Sequence, residues 1–375
     1  MIDTNTLFSN KTLGIIGDSP NGIMLARTAK RMGFIVLAYS SDENNPTLSE
    51  ADLKFVGASF DKLKLQDFAQ RCDVVTYESM DVDAQVVHFL KQYTNVTQGS
   101  ETLELMQDRL VERAFFEELN LNIAPYATVV GLDDIYQAVT SIGYPCVLKP
   151  IQKNYGKQSE VFIKKQTDIA NCAGVLELGT YILESYLPCA KEIAVLVALD
   201  QEKHVEVFSP VECIYQKNQL KQVLAPIQLE KPIIEELTRQ VKTIIERLNY
   251  VGVLELGFYL TKNQTIYIKE VTPTLHKAGY IFDKAANVSM FEQHLRALAN
   301  ISLVKPKIIQ PTVQVMFLAS DQNALQTQTV LKNNWFYNYY RYPNTSKNSE
   351  QGYLLAIGEN SLNLKQQIDA TAIWE

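Results

Sequence analysis

Histidine is scarce in this 375-residue chain: His88, His204, His276 and His294 are the four copies. None forms an i, i+4 pair, which argues against a multi-histidine metal centre. Cysteine is nearly as thin, with five copies at positions 72, 146, 172, 189 and 213. No two have the short spacing of a zinc knuckle or a redox couple. Most sit in apolar surroundings such as Pro145-Cys146-Val147-Leu148, and read as buried thiols of a reducing compartment. No apolar run approaches the roughly 18 residues of a membrane span. The first residues, with Asp3 and no long apolar stretch, do not read as a signal peptide. Positive charge is in deficit, 35 Lys and Arg against 42 Asp and Glu, for a net charge of −7. That balance speaks against nucleic acid and anionic membranes as partners. It leaves room for a local basic pocket that takes phosphates. Internal repeats and low-complexity tracts are also missing, and the charged (21%) and apolar (46%) fractions are those of a folded protein. The expectation is a soluble cytoplasmic protein.

At roughly 150 residues per domain, the length predicts two or three domains. Residues 12–16, 35–39 and 73–77 read as buried strands. Helical patterns at 22–32, 62–71 and 84–93 alternate with them. That alternation predicts a parallel sheet flanked by helices, a Rossmann-like domain over residues 1–100. A long helical pattern at 101–120 is read as a connector. It opens an α+β block that runs to residue 305. Its strands are predicted at 144–148, 161–163, 181–184, 192–199 and 205–209, with helices at about 167–177 and 233–248. Strands at 252–260 and 265–271 flank the polar turn Thr261-Lys262-Asn263-Gln264, which predicts an antiparallel hairpin. Residues 306–375 read as a small, mostly β, C-terminal domain. Its tyrosines at 337–342 are read as packing, and 343–352 as polar turn.

Two places invite chemistry. The first is Gly14-Ile15-Ile16-Gly17-Asp18-Ser19-Pro20-Asn21-Gly22, a glycine turn between strand and helix. Such turns can seat a phosphate. Asp18 would repel one and Pro20 lacks an amide donor, so a tight strand–helix turn is the favoured reading. The second is spread along the middle block. Lys149 ends an apolar strand and must meet something negative. Asn154-Tyr155-Gly156-Lys157-Gln158 is a polar glycine loop. Glu184-Ser185-Tyr186-Leu187 closes one strand and Glu192 opens the next. Glu255 and Glu270 lie on the two strands of the hairpin. A strand-end lysine, a glycine loop and carboxylates on neighbouring strands together describe a metal–nucleotide site.

With these residues in order, the chain resembles the ATP-grasp superfamily. Within it, the similarity is to the 5-(carboxyamino)imidazole ribonucleotide synthetases of purine biosynthesis. The resemblance runs from about residue 12 to 300 and more faintly beyond. Its carriers are Gly14 to Gly17, Cys72-Asp-Val-Val-Thr-Tyr-Glu78, Gln107-Asp-Arg109, Gly143-Tyr-Pro-Cys-Val-Leu-Lys149, Tyr250 to Leu254, Lys269-Glu-Val-Thr-Pro273 with His276, and Ser289 to Ala297. It implies a preATP-grasp domain, an ATP-grasp domain and a homodimer. It implies ATP-driven carboxylation of aminoimidazole ribonucleotide by bicarbonate, through carboxyphosphate. It assigns phosphate contacts to Arg109, Lys149 and the Tyr155-Gly156-Lys157 loop. It gives the adenine edge to Glu184, Ser185, Tyr186 and Leu187, the ribose to Glu192, and a catalytic part to Lys149, Glu270 and His276. Mg2+ would sit on Glu270, with Glu255 as the second carboxylate. The other reading of the same resemblance is a divergent paralogue, either a ligase with another acceptor or a non-catalytic nucleotide-binding protein.

The departures fall on the site. The family's second metal carboxylate is replaced by Gly257, and Glu255 lies two residues away, about 7 Å along the strand on the same face. Lys269 stands where the family has asparagine before Glu270, within the nucleotide-binding set. An ammonium about 4 Å from a divalent ion costs roughly 8 kcal/mol at an effective dielectric of about 20. A lysine facing the site would therefore exclude a metal or replace it. Thr274 replaces an arginine in the acceptor run and Met80 a glutamate. Lys277 is left as an alternative phosphate contact, with a solvated lysine the favoured reading. His294, inside a helix, is read as structural.

Overall fold

The computed structural model describes residues 10–153, 160–216, 218–342 and 346–374. The first region is the expected parallel sheet. Strands β1 (Thr12–Ile16), β2 (Ile35–Ser40), β3 (Leu53–Val56) and β4 (Val74–Tyr77) lie in the order β3-β2-β1-β4, all parallel. Helix Asn21–Arg31 buries Ile23, Leu25, Ala26 and Ala29 on this sheet, their spacing matching the helical period. Ile15, Val36 and Val74 meet it from the strands. Helix Lys62–Gln70 covers the other face with Leu65, Phe68 and Ala69.

The 101–120 segment is not one helix. It is broken at Asp108, whose extended backbone separates Glu101–Gln107 from Arg109–Glu118. The Asp108 carboxylate accepts from the amides of Leu110 and Val111, as a helix N-cap does, and from the Gln152 side chain. Helical periodicity runs straight through an aspartate, so only the capping chemistry reveals the break.

Two sheets follow. The smaller is antiparallel, β5 (Tyr126–Val129), β6 (Cys146–Pro150), β7 (Val161–Ile163) and β8 (Tyr181–Ser185), in the order β5-β8-β6-β7. The larger comprises β9 (Cys189–Leu199), β10 (Val205–Val207), β11 (Val211–Gln216), β12 (Gln219–Ala225), β13 (Gly252–Thr261) and β14 (Ile266–Thr272). The β13–β14 hairpin forms as expected. The C-terminal strands β15 (Thr312–Leu318), β16 (Trp335–Tyr339) and β17 (Glu350–Ile357) extend the same sheet through β12–β15 pairing, so residues 350–352 are strand rather than turn. Helix Lys231–Ile245 buries Leu237, Val241 and Ile244 against the large sheet.

All five cysteines are free thiols, and four are buried, with Cys189 half-buried. No helix among the described residues is long and apolar enough to cross a membrane.

Candidate functional site

The two sheets of the middle block bring eight charged side chains into one run. On the small sheet, Lys149 stands diagonally across from Glu184: Val147 pairs with Glu184 and Lys149 with Ile182. The Lys149 ammonium is 2.6 Å from Glu184 Oε2, and the Arg113 Nε donates to Oε1 at 2.6 Å. Arg113 also meets the neighbouring Glu112 at 3.2 Å. Glu112, fully buried, accepts the Val271 amide on β14 and holds Lys153 at 2.8 Å. Lys153 stands 3.6 Å from Glu270, Glu270 3.8 Å from Lys269, and Lys269 3.0 Å from Glu192. Four cations and four anions thus alternate from the end of β6 to the start of β9 and the bulge of β14.

Backbone contacts fix this run. Past β6, the chain lays residues 151–153 against the break between helices. The Arg109 amide donates to Ile151, the Lys153 amide donates to Gln107, and Asp108 bridges Gln152. Lys153 is thereby pinned under helix Arg109–Glu118. On the hairpin, Gly257 pairs with Glu270 but Phe258 pairs with Ile268, so Lys269 is an extra residue, a β-bulge.

Burial and charge set the protonation of these groups. Burial alone would push the Glu184 carboxyl up, but Lys149 and Arg113 outweigh it and hold it at about 2. Glu270 is likewise opposed by burial and is held well below the usual carboxylate range by Lys153, Lys269, Arg109 and His276. Burial would depress the Lys269 ammonium. Charge interactions with Tyr215, Glu270, Tyr259 and Glu192 together push it well above its ordinary value.

Several expected residues meet here and others do not. Lys149, Glu184, Glu192, Lys269 and Glu270 share the run. Arg109 lies at its edge, donating from Nε to the Pro150 carbonyl and facing Glu160 at 3.4 Å. The amides of Ser185 and Tyr186 are spent on the carbonyls of Pro125 and Pro145, so neither amide is left for a ligand edge. Tyr155, Gly156 and Lys157 lie outside the described residues. Glu255 departs from expectation: its buried carboxylate is engaged by His276 Nδ1 rather than turned to Glu270. The same Nδ1 lies 3.4 Å from the Ala278 amide at the start of the turn Lys277–Ile281, a contact it can accept only in the tautomer that does not donate to Glu255. Lys277 is half-exposed but paired, because Glu350 clasps it with both oxygens at 2.8 and 2.9 Å. His294 is structural, accepting the Val253 amide and touching Thr76 Oγ1, and burial drives its pKa down to about 3.

Among the described residues, the hairpin leaves at most one carboxylate, Glu270, for a magnesium carried by the nucleotide phosphates. That ion demands near-octahedral oxygens at roughly 2.1 Å. Here Glu255 is committed to His276, position 257 has no side chain, and Glu270 faces two ammonium groups. No cluster of three or more His, Cys, Asp or Glu able to hold a metal occurs among the described residues. The first glycine segment packs closely against Glu78 and the helix face behind it. A Cβ on Gly17 (φ +140°) would lie 2.3 Å from Glu78 Oε1, and one on Gly14 would meet Cys72, Phe68 and Val75. This is the tight strand–helix turn expected there, with a cavity lined by Gly17, Asp18, Ser40 and Ser41 beside it.

Sequence reasoning missed Glu112, Arg113 and Lys153. A signal for the first two was present. Arg109, Glu112, Arg113 and Phe116 fall at i, i+3, i+4 and i+7, the buried face of their helix, and charges on such a stripe must be paired.

Residues 10–107 match the ribonucleotide synthetase preATP-grasp domain, and residues 114–291 match the ATP-grasp domain. The N5-carboxyaminoimidazole ribonucleotide synthase of Bacillus subtilis (strain 168) is 29% identical over 315 residues, 84% of this chain and 83% of that protein. The Staphylococcus aureus (strain MRSA252) protein of the same name is 27% identical over 365 residues, 97% of this chain and 96% of its own. The crystal structure of the Staphylococcus aureus synthetase complexed with ADP superposes with a TM-score of 0.93 at 25% identity, covering 99% of both chains. Lys149, Glu184, Glu192 and Glu270 lie on strands within the 114–291 match, and the parallel sheet lies within the first. The chain therefore belongs to the ATP-grasp family, with the preATP-grasp domain of the ribonucleotide synthetases in front.

Proposed function

We propose that this chain is an ATP-dependent ligase that carboxylates 5-aminoimidazole ribonucleotide with bicarbonate, a step of purine biosynthesis. The observation that carries the reading is the end-to-end match to N5-carboxyaminoimidazole ribonucleotide synthases, with 97% of this chain aligned. Two bond exchanges make up the reaction. A bicarbonate oxygen attacks the γ-phosphorus of ATP and ADP leaves, giving carboxyphosphate. The exocyclic amine of the ribonucleotide then attacks the carboxyl carbon, and phosphate leaves.

The charged run supports this chemistry. Lys149 uses one of its three N–H donors on Glu184. The remaining two, with those of Lys153 and the guanidinium of Arg109, face the phosphates. Fixed cations of this kind stabilise the charge that builds on transferring phosphoryl oxygens, and they need no reorganisation during the step. Glu184 and Glu112 act by holding Arg113, Lys149 and Lys153 in place. The 184–187 stretch borders the adenine, and Glu192 the ribose. Glu270 and His276 line the acceptor side. Among the described residues, Glu270 is the one carboxylate that could meet a magnesium held by the phosphates. A homodimer follows from the resemblance, and light scattering at micromolar concentration checks it.

The deciding experiment is ATP turnover with and without aminoimidazole ribonucleotide and bicarbonate. ADP release that requires both is the expected result. ADP binding with no turnover at high enzyme concentration would overturn carboxylation and leave a nucleotide-binding paralogue.

A further inference from the structure

Among the described residues, the site has one carboxylate where its relatives' family pattern has two, and it carries a positive charge at the same place. Lys269 is the extra residue of the β14 bulge, and its stem packs beside Gly257. A Cβ built on Gly257 would lie 3.6 Å from Lys269 Cβ and Cδ and 3.8 Å from Glu270 Cγ. The lysine stem therefore runs over the glycine and beside Glu270. Its ammonium sits 4.2 Å over the Tyr215 ring and 5.6 Å from that of Tyr259. It is 3.0 Å from Glu192 and 3.8 Å from Glu270. Aromatic faces and carboxylates on several sides hold an ammonium in one place, as ligand-binding cages hold cations. The side chain keeps 20% of its surface open, enough for one face to meet a ligand.

We propose that the Lys269 ammonium takes the place of a protein-bound divalent ion, so that this chain holds the phosphates of an adenine nucleotide through Lys269, Lys153 and Lys149 without needing magnesium. The inference rests on the nucleotide site proposed above and says which cation serves it. Glu270 then has a different task from metal ligation: it positions two lysines, Lys153 and Lys269, on its opposite oxygens. Gly257 and Lys269 become one paired feature. A methyl would still fit beside the lysine stem, whereas a longer side chain at 257 would compete with it.

Titration calorimetry of the full chain with ADP, in EDTA and in excess magnesium chloride, tests this. The expected dissociation constants agree within about threefold. In EDTA, Lys269→Met should bind ADP at least tenfold more weakly, while Lys269→Arg, which keeps the charge, should stay within about threefold of the parent. The double variant Gly257→Glu/Lys269→Asn should bind ADP at least tenfold more tightly with magnesium than with EDTA. Thermal melts confirm that each variant is folded, and the parent protein alone already decides the matter. If its own affinity rises tenfold or more with magnesium, the inference fails and the nucleotide site stands. If Lys269→Met binds ADP in EDTA as well as the parent, the ammonium is not the cation used. If the parent binds ADP in neither condition, the nucleotide site fails and takes the inference with it.

Discussion

Glu184→Gln isolates the strength of the charged run with a change of almost no volume. At present Glu184 Oε1 accepts from Arg113 Nε and Oε2 from the Lys149 ammonium, both at 2.6 Å. A glutamine has one acceptor oxygen and one donor nitrogen. Whichever way it turns, an N–H group faces a cation, and two positive charges lose their counter-charge in a buried place. The carboxyl is held at about 2 against its ordinary 4.5. That gap of about 2.5 units, at about 1.4 kcal/mol per unit, is worth about 3 kcal/mol at pH 7. Removing one member of a buried pair typically costs 3–5 kcal/mol, so the two routes agree. Because the folded pKa is depressed, the stabilisation is complete above pH 4.5 and is lost as pH falls toward 2. Urea unfolding at pH 7 should therefore show a gap of about 3 kcal/mol between parent and variant. At pH 3.5 the gap should have shrunk by about 1.4 kcal/mol. A gap below 1 kcal/mol at pH 7, or one that ignores pH, would refute the account of the network.

His294 gives the opposite kind of test, a base kept neutral. Its pKa falls from 6.5 to about 3 through burial, so below pH 6.5 the unfolded chain binds a proton the folded chain refuses. The stability difference between the parent and His294→Gln should shrink by about 1.4 kcal/mol per pH unit from 6.5 toward 5, read by urea melts. Taking the difference cancels other groups, such as Glu78, whose carboxyl burial pushes up to about 8. Gly17→Ala should cost about 2–4 kcal/mol, because the added methyl meets Glu78 at 2.3 Å and φ is +140°. A loss under 1 kcal/mol by thermal melt would mean that the Glu78 side chain swings aside freely.

The parts of the fold that showed in the sequence are those where one face is buried over several turns or residues. Ile15, Val36 and Val74 on the parallel sheet, and Leu237, Val241 and Ile244 on helix Lys231–Ile245, carry regular apolar spacing because each buries a whole stripe. Strand β3 was hidden for the converse reason. It is an edge strand of four residues with Leu53 and Val56 exposed, so its pattern has no buried face to follow. The β11–β12 hairpin turns at Asn218, in a left-handed conformation (φ +61°) that asparagine tolerates, with none of the glycine or proline that usually marks a turn.

The site was legible in composition and opaque in partnership, and the reason is geometric. Lys149 and Glu184 stand near strand ends, where a charged residue after an apolar run is conspicuous, and Glu192 and Glu270 break otherwise apolar strands. Which of them touch is decided by elements far away in sequence. Glu112 reaches β14 by accepting the Val271 amide, 159 residues on. Lys153 comes under the same helix only because Asp108 breaks it and Gln152 ties the next segment there. A spacing argument placed Glu255 on the same face as Gly257, and the structure agrees on the face, since both precede the bulge. It could not place the carboxylate, because His276 arrives from the turn after β14 and claims it. The bulge then decides the rest. A regular β14 would send Lys269 and Glu270 to opposite faces of the sheet. The extra residue lets both reach the same side, and a sequence written in strict alternation contains no mark of it.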